Sequence, residues 1–296
     1  MKKIITITLA LTYISGILLA GTRQALTVFI GDYPTESGWY ELASQNDKTL
    51  ILNMLHSLNF EQKDIICLEN ADATYSGIVD ALEEMVTRAK TGDQIYIHFS
   101  CHGQQITDQD GDEALINPKD RYDEAIVPYD ACIAYNWNGY KGEHHLIDDV
   151  LNSYINRISA KVGKTGCLMV VHDACHSGGL ERENNESELP PHRGTFAAFD
   201  QPLTGKKGTP KILPVTWISL SACKDFQTNF EVNAAGQRYG RLSYAISRCL
   251  RAGMTVSELV EAIGKEYATL PLPVGYAQTL HYCIPEKMHN KKLFAR

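Results

Sequence analysis

The sequence predicts an α/β fold: a mostly parallel central sheet with helices on both faces, in one domain. Three observations carry that expectation. Apolar runs of strand length recur along the chain, helical patterns separate them, and several runs are apolar throughout instead of alternating. Strands buried on both faces need such unbroken runs, and alternation of strand with helix builds parallel sheets. At 296 residues the chain is long enough for a sizeable core.

The elements follow in order. ALTVFIG (25–31) reads as a first strand, and DKTLILNMLHSLNF (47–60) has the three- and four-residue apolar spacing of a helix. DIICLEN (64–70) is a short strand, and ATYSGIVDALEEMVTRAKTGD (73–93) a helix that stops near Gly92. QIYIHFSCHG (94–103) and GCLMVVHDAC (166–175) are buried strands, with the helix HLIDDVLNSYINRIS (145–159) between them. PVTWISLSACK (214–224) repeats the strand and GRLSYAISRCLRAG (240–253) the helix. Residues 181–211 are polar, rich in Pro and Gly, and without period. They read as a long loop inside the domain, because strand and helix resume beyond it.

Composition narrows the function. A formal charge of −7 argues against a nucleic-acid face, and the basic C-terminal KMHNKKLFAR reads as a solvated tail. Residues 1–21 begin with two lysines and continue apolar, as a signal peptide does; the expected domain is therefore 22–296. A cut after Ala20 or Gly21 leaves Leu18 or Leu19 where a small residue is preferred, so an uncleaved membrane anchor is the alternative. Either places the protein outside the cytoplasm, periplasmic or extracellular, or tethered to the membrane. The eight cysteines are spread evenly without C-x-x-C spacing and read as small buried hydrophobes with at most one or two bridges. A monomer is expected.

Only Cys175 sits in a context that asks for chemistry. In LMVVHDACHSGGLER (168–182) an apolar strand delivers Asp173 and Cys175 to its end, and QIYIHFSCHGQQ (94–105) delivers His102 and Gly103. Ligands of such sheets sit at the carboxyl ends of the strands. A nucleophilic cysteine needs a base and donors for the oxyanion it creates. His102 supplies the first, and the N–H groups of Cys175 and Gly103 the second.

HFSCHGQQ followed by DACHSGG resembles the paired His-Gly and Asp-x-Cys motifs of the caspase-like cysteine peptidases, and of the metacaspases in particular. SQND (44–47), DQDGDE (108–113), YDEAIVPYD (122–130), LIDD (146–149), SACKDFQTNFE (221–231) and RLSYAISRCL (241–250) occur in that family's order. The resemblance runs from residue 25 to about 282 and implies a caspase-like three-layer sandwich. It implies His102 and Cys175 as a catalytic dyad with Gly103 beside them, and Ser44, Asp47, Ser100 and Asp173 as the pocket for the residue before the cut. Two carboxylates in a pocket attract a guanidinium or ammonium, so protein or peptide substrates cut after Arg or Lys are expected. The alternative reading of Asp47 is a helix N-terminal cap. Asp123, Asp148, Asp149 and Glu181 resemble the cluster with which many metacaspases hold activating Ca²⁺, although the family's fourth carboxylate falls one position later, where Arg182 stands. Asp148 and Asp149 are also ordinary acids for the start of a helix.

Three other signals fail. DQDGDE imitates an EF-hand start, but Glu113 stands where Gly is needed and Lys119 where the closing Glu belongs. VGKTG (162–166) imitates a phosphate loop, but precedes a strand and has Ile158 in place of the first Gly. His98/His102 and His172/His176 are four apart, a spacing that gathers zinc ligands on helices and not on strands. Within the long loop, Arg193, Lys206 and Lys207 are the expected self-cleavage positions if the pocket takes basic residues. The rival readings are a non-catalytic caspase-like binding or scaffold protein, and a related cysteine peptidase of different specificity.

Overall fold

The computed structural model describes residues 21–175, 189–204, 215–224 and 226–295. Its centre is a six-stranded sheet of β1 (Arg23–Phe29), β2 (Ile65–Glu69), β3 (Gln94–Ser100), β7 (Cys167–Asp173), β8 (Ile218–Ser221) and β11 (His281–Cys283). The spatial order is β11-β8-β7-β3-β1-β2, parallel throughout except for the antiparallel edge strand β11.

Strand side chains alternate between faces, and both faces are apolar. Leu26 and Val28 of β1, Ile95, Ile97 and Phe99 of β3, and Leu168 and Val170 of β7 pack on one side with helices α2 (Tyr75–Arg88) and α4 (Asp148–Val162). Ala25, Phe29, Tyr96, Met169 and Val171 pack on the other with α1 (Ser44–Ser57), α5 (Arg241–Cys249) and α6 (Val256–Thr269). By the same alternation Ser100 follows Tyr96 and His98, and Asp173 follows Val171, onto the face covered by α1 and α5. That parity places a carboxylate and a hydroxyl opposite Asp47 of α1.

Two smaller sheets lie beyond the strand ends. β4 (Gly103–Thr107), β5 (Tyr122–Ile126) and β6 (Leu146–Ile147) form an antiparallel sheet, with the short α3 (Glu113–Ile116) in the β4–β5 connection. β9 (Glu231–Ala234) and β10 (Gln237–Gly240) form a hairpin turning at Ala235 and Gly236, whose φ values of 50° and 79° suit a two-residue turn.

The sequence reading and the structure differ at a few places. α1 begins at Ser44, three residues before the apolar spacing predicts, and Asp47 is no cap. The strand predicted over 94–103 ends at Ser100, because the chain turns there and Gly103 opens β4. α6 was not anticipated, although Thr255 and Glu258 form a reciprocal capping box at its start. Residues 1–20, Glu181, Lys206 and Lys207 lie outside the described residues.

Candidate active site

The two motif-bearing strands are direct neighbours. β3 and β7 pair in parallel with Ser100 opposite Asp173. His102 and Cys175 therefore each lie two residues past the same rung, at the carboxyl edge of the sheet.

Aromatic rings hold His102. Its imidazole stacks on Trp39 with centroids 4.6 Å apart, meets the edge of Tyr40 at 4.6 Å, and lies 5.1 Å from the Tyr33 ring. Its backbone N–H donates to the Tyr33 hydroxyl (3.1 Å), which donates in turn to the Val127 carbonyl (2.9 Å). Nε2 lies 2.8 Å from the Tyr40 carbonyl oxygen, an acceptor only, so this nitrogen carries the proton. Nδ1 is buried without a hydrogen-bond partner among the described residues, which leaves its lone pair available. Burial pushes the His102 pKa down to about 3, with Arg193 and His192 adding to the shift and the Tyr40 carbonyl opposing it. The ring is neutral in this state, as a proton acceptor must be.

Arg193, from the long loop, crosses the space in front of this pair. Its carbonyl oxygen accepts from the Cys175 N–H (2.8 Å) and the Gly103 N–H (3.2 Å). Its side chain is fully buried. Nη2 is 2.6 Å from Asp47 Oδ2 and 2.9 Å from Glu231 Oε1, while Nη1 donates to Ser100 Oγ (2.7 Å) and to the Asp173 carbonyl (3.2 Å). Asp173 faces the guanidinium through Oδ2 at 3.9 Å. That oxygen also accepts from the N–H and hydroxyl of Ser243, both at 2.7 Å, while Oδ1 accepts from Asn229. Asp47 is fixed likewise by Ser100 Oγ and the Gly240 N–H.

Three carboxylates in so dry a pocket need a cation. Burial pushes Asp47 up to about 7 against the pull of Arg193. Burial acts on Asp173 in the same direction, but Arg193 and the Asn229 and Ser243 hydrogen bonds outweigh it, and its pKa falls. The carboxylates in turn outweigh the burial of Arg193 and hold its pKa above the ordinary value.

The flanking chain binds as added β-strand. On one side Arg193 N–H donates to the Asn229 carbonyl, and Glu231 N–H to that of Pro191, both at 2.9 Å. On the other, Gly194 bridges Gly103 in parallel, and Phe199 exchanges backbone hydrogen bonds with Gln105 (2.7 Å) and Thr107 (3.2 Å). The Tyr40 hydroxyl donates to the carbonyls of His192 (2.5 Å) and Gly194 (2.9 Å).

A family model for the metacaspase, peptidase C14 domain matches residues 24–181, more than half of the chain. The chain belongs to the metacaspase family of cysteine peptidases. It is 27% identical over 277 residues to Metacaspase-1 of Cryptococcus neoformans, covering 78% of this chain and 56% of the relative. It is 26% identical over 305 residues to Metacaspase-1 of Schizosaccharomyces pombe, covering 85% and 66% respectively. It thus spans between half and two thirds of the length of these curated relatives. The crystal structure of protein GSU0716 from Geobacter sulfurreducens shares the fold, with a TM-score of 0.62 at 17% identity over 93% of this chain and 98% of that one.

For a metacaspase, the expected pocket residues are largely brought together. Asp47, Ser100 and Asp173 converge on one guanidinium. Ser44 lies one turn earlier on α1, buried, with its hydroxyl unpartnered among the described residues. Glu231, a third pocket carboxylate, closes the SACKDFQTNFE segment, but nothing in a linear motif shows that it shares a guanidinium with Asp47. Ser243, Asn229 and Tyr40 were missed for the same reason.

The expected metal carboxylates are spread over three groups, within each of which the ligand oxygens lie within 4.8 Å of one another: Asp108, Asp112 and Asp123; Asp110, Asp112 and Asp149; Glu113, Glu124 and Asp148. Asp123, Asp148 and Asp149 fall in different groups, and the loop dismissed as an EF-hand imitation supplies most of the remaining ligand atoms. Burial, then mutual repulsion, pushes Asp123 up to about 8, Asp148 and Glu113 to about 7 and Asp112 to about 6. Asp112 Oδ1 is buried and has no hydrogen-bond partner among the described residues. All-oxygen donors, repelling one another around an orphaned acceptor, fit a hard divalent cation such as Ca²⁺.

Proposed function

We propose that this metacaspase is an endopeptidase that cleaves after Arg or Lys, and that the bond between Arg193 and Gly194 is its own internal substrate. One observation carries the reading: Arg193 has its guanidinium among three carboxylates while its carbonyl oxygen accepts two backbone hydrogen bonds beside Cys175.

In the proposed reaction Cys175 Sγ attacks the carbonyl carbon of the basic residue, and His102 Nδ1 takes the thiol proton. Negative charge gathers on the oxygen facing the Cys175 and Gly103 N–H groups, donors fixed in place before the reaction begins. The C–N bond breaks as His102 returns the proton to the leaving amine. Water, deprotonated by the same nitrogen, hydrolyses the thioester. The Tyr40 carbonyl keeps the proton on Nε2 and so keeps Nδ1 in this role.

Calcium is proposed at the groups containing Asp108, Asp112, Asp123, Asp148 and Asp149. When bound it would neutralise their repulsion. Asp123 lies opposite Ile106 on the same β4–β5 pair that carries Gly103 opposite Ile126, so the cluster fastens one end of the hairpin whose other end faces the scissile bond. Export through residues 1–21 is likewise proposed, and the N-terminal mass of secreted protein tests it.

The test is hydrolysis of internally quenched peptides holding Arg, Lys or Asp before the cut, with and without Ca²⁺. Cleavage of the Arg and Lys peptides alone is expected. Equal cleavage after Asp refutes the specificity, and no cleavage of any peptide favours the scaffold reading.

A further inference from the structure

We infer that the enzyme cuts best where glycine follows the basic residue, so that its preferred bond is Arg–Gly; this rests on the reading of Arg193 as a bound substrate residue. The observation is the space around Gly194. A Cβ at this position would lie 2.8 Å from the Cys175 carbonyl oxygen, 2.8 Å from the Gly103 carbonyl oxygen and 2.9 Å from Cys175 Cβ. All three are under 3.0 Å, closer than Cβ atoms approach their neighbours in proteins. Gly194 is not among the glycines with positive φ, so the demand is for room and not for a special backbone conformation.

Two of the three obstacles are backbone atoms, which cannot swing aside as a side chain does. They belong to the two residues whose N–H groups donate to the Arg193 carbonyl at 2.8 and 3.2 Å. Any shift that admits a Cβ therefore moves the donors away from the oxygen they serve. Gly103 is also held in β4 opposite Ile126, and the segment is gripped by the Gly103–Gly194 bridge and by the Tyr40 hydroxyl on the Gly194 carbonyl. A side chain after the cut thus acts on the transition state more than on binding, and its cost is expected in kcat.

The experiment uses the full-length protein and quenched peptides containing Pro-His-Arg-X, where X is Gly, Ala, Val or Leu, together with a Pro-His-Asp-Gly control. The expected result is a kcat/KM for Arg-Gly roughly 100-fold above that for Arg-Ala, the scale of loss that misplacing reacting groups produces. Arg-Ala and Arg-Leu peptides cut within about threefold of Arg-Gly would overturn the inference and leave the Arg specificity standing. Cleavage of the Asp-Gly control as fast as Arg-Gly would instead remove the pocket reading and this inference with it. In the chain itself, Gly194→Ala should slow the cut after residue 193 to a similar degree, measured by mass spectrometry; an unchanged rate contradicts the proposal.

Discussion

Arg193 is an expensive residue to bury, and the cost explains what surrounds it. A buried guanidinium is tolerated only when carboxylates and hydrogen bonds replace its water. Asp47, Glu231, Ser100 and the Asp173 carbonyl do so. Replacing Arg193 by Gln in a Cys175→Ala background, where the chain stays intact, should lower stability by about 3–5 kcal/mol, since the carboxylates lose their partner. The sign of the pH dependence follows. Arg193 helps hold the folded-state pKa of Asp173 below its ordinary value; without the guanidinium burial raises it, and the folded variant keeps a proton that the wild type has released. The deficit should grow as pH rises from about 4 through 7, read by chemical denaturation at several pH values; a deficit independent of pH would contradict the carboxylate account. Glu231→Gln keeps the shape and removes the charged contacts of Glu231 to Arg193 (2.9 Å) and Arg238 (2.6 Å), and should raise KM for Arg peptides by roughly 10–100-fold, the range for a charge-assisted hydrogen bond. Sequence reasoning reached Asp47, Ser100 and Asp173 because each sits in a short motif, and it reached Arg193 as a cut site. It did not foresee Arg193 filling the pocket, since that depends on a loop folding back over 146 residues to Asp47.

At the scale of elements, the β4–β5 hairpin joins the acidic groups to the site. Asp123, Asp148, Asp112 and Glu113 all have raised pKa values, to about 8, 7, 6 and 7. Such groups hold protons in the folded state that the unfolded chain has already released, so metal-free stability should fall as pH rises from about 4 to 8. With Ca²⁺ present the trend should disappear or reverse, because the ion takes the place of the protons. Melting curves in chelator and in Ca²⁺ across that range check this; identical curves would leave the cluster as a solvated acidic face. The hairpin was not legible beforehand. Its strands, GQQIT and YDEAI, are five residues each and carry no unbroken apolar run. By contrast β3 and β7, buried on both faces, announced themselves as unbroken apolar runs. α6 was overlooked even though its capping box and apolar spacing were visible in TVSELVEAIGKEY.

On the scale of the whole molecule, the proposed cut divides the chain without dividing the fold. β7 lies before residue 193 and β8 after it, and the two pair from Met169–Ile218 to His172–Ser221. The core on that face joins Ile51 and Leu55 of α1 to Leu242 and Ile246 of α5 and Leu259 and Ile263 of α6, all buried. The new terminus at Gly194 is anchored close by through Phe199, which is fully buried. The cleaved protein should therefore run as one species in gel filtration and separate into two pieces only under denaturing conditions; separation in native buffer would show that these contacts do not suffice. The alternation of strand and helix was enough to anticipate this single sheet with two covered faces, since burial on both sides dictates both the composition and the layering. The antiparallel edge strand β11 was not, because its residues are exposed and carry no apolar signal.

The most direct test of the central claim is N-terminal mass mapping of fragments formed by the purified wild-type chain, beside the Cys175→Ala and Arg193→Gln variants. A new terminus at Gly194 in the wild type, absent from both variants, is the expected result. The same terminus appearing in Cys175→Ala, or wild-type fragments that all begin elsewhere, would contradict the account.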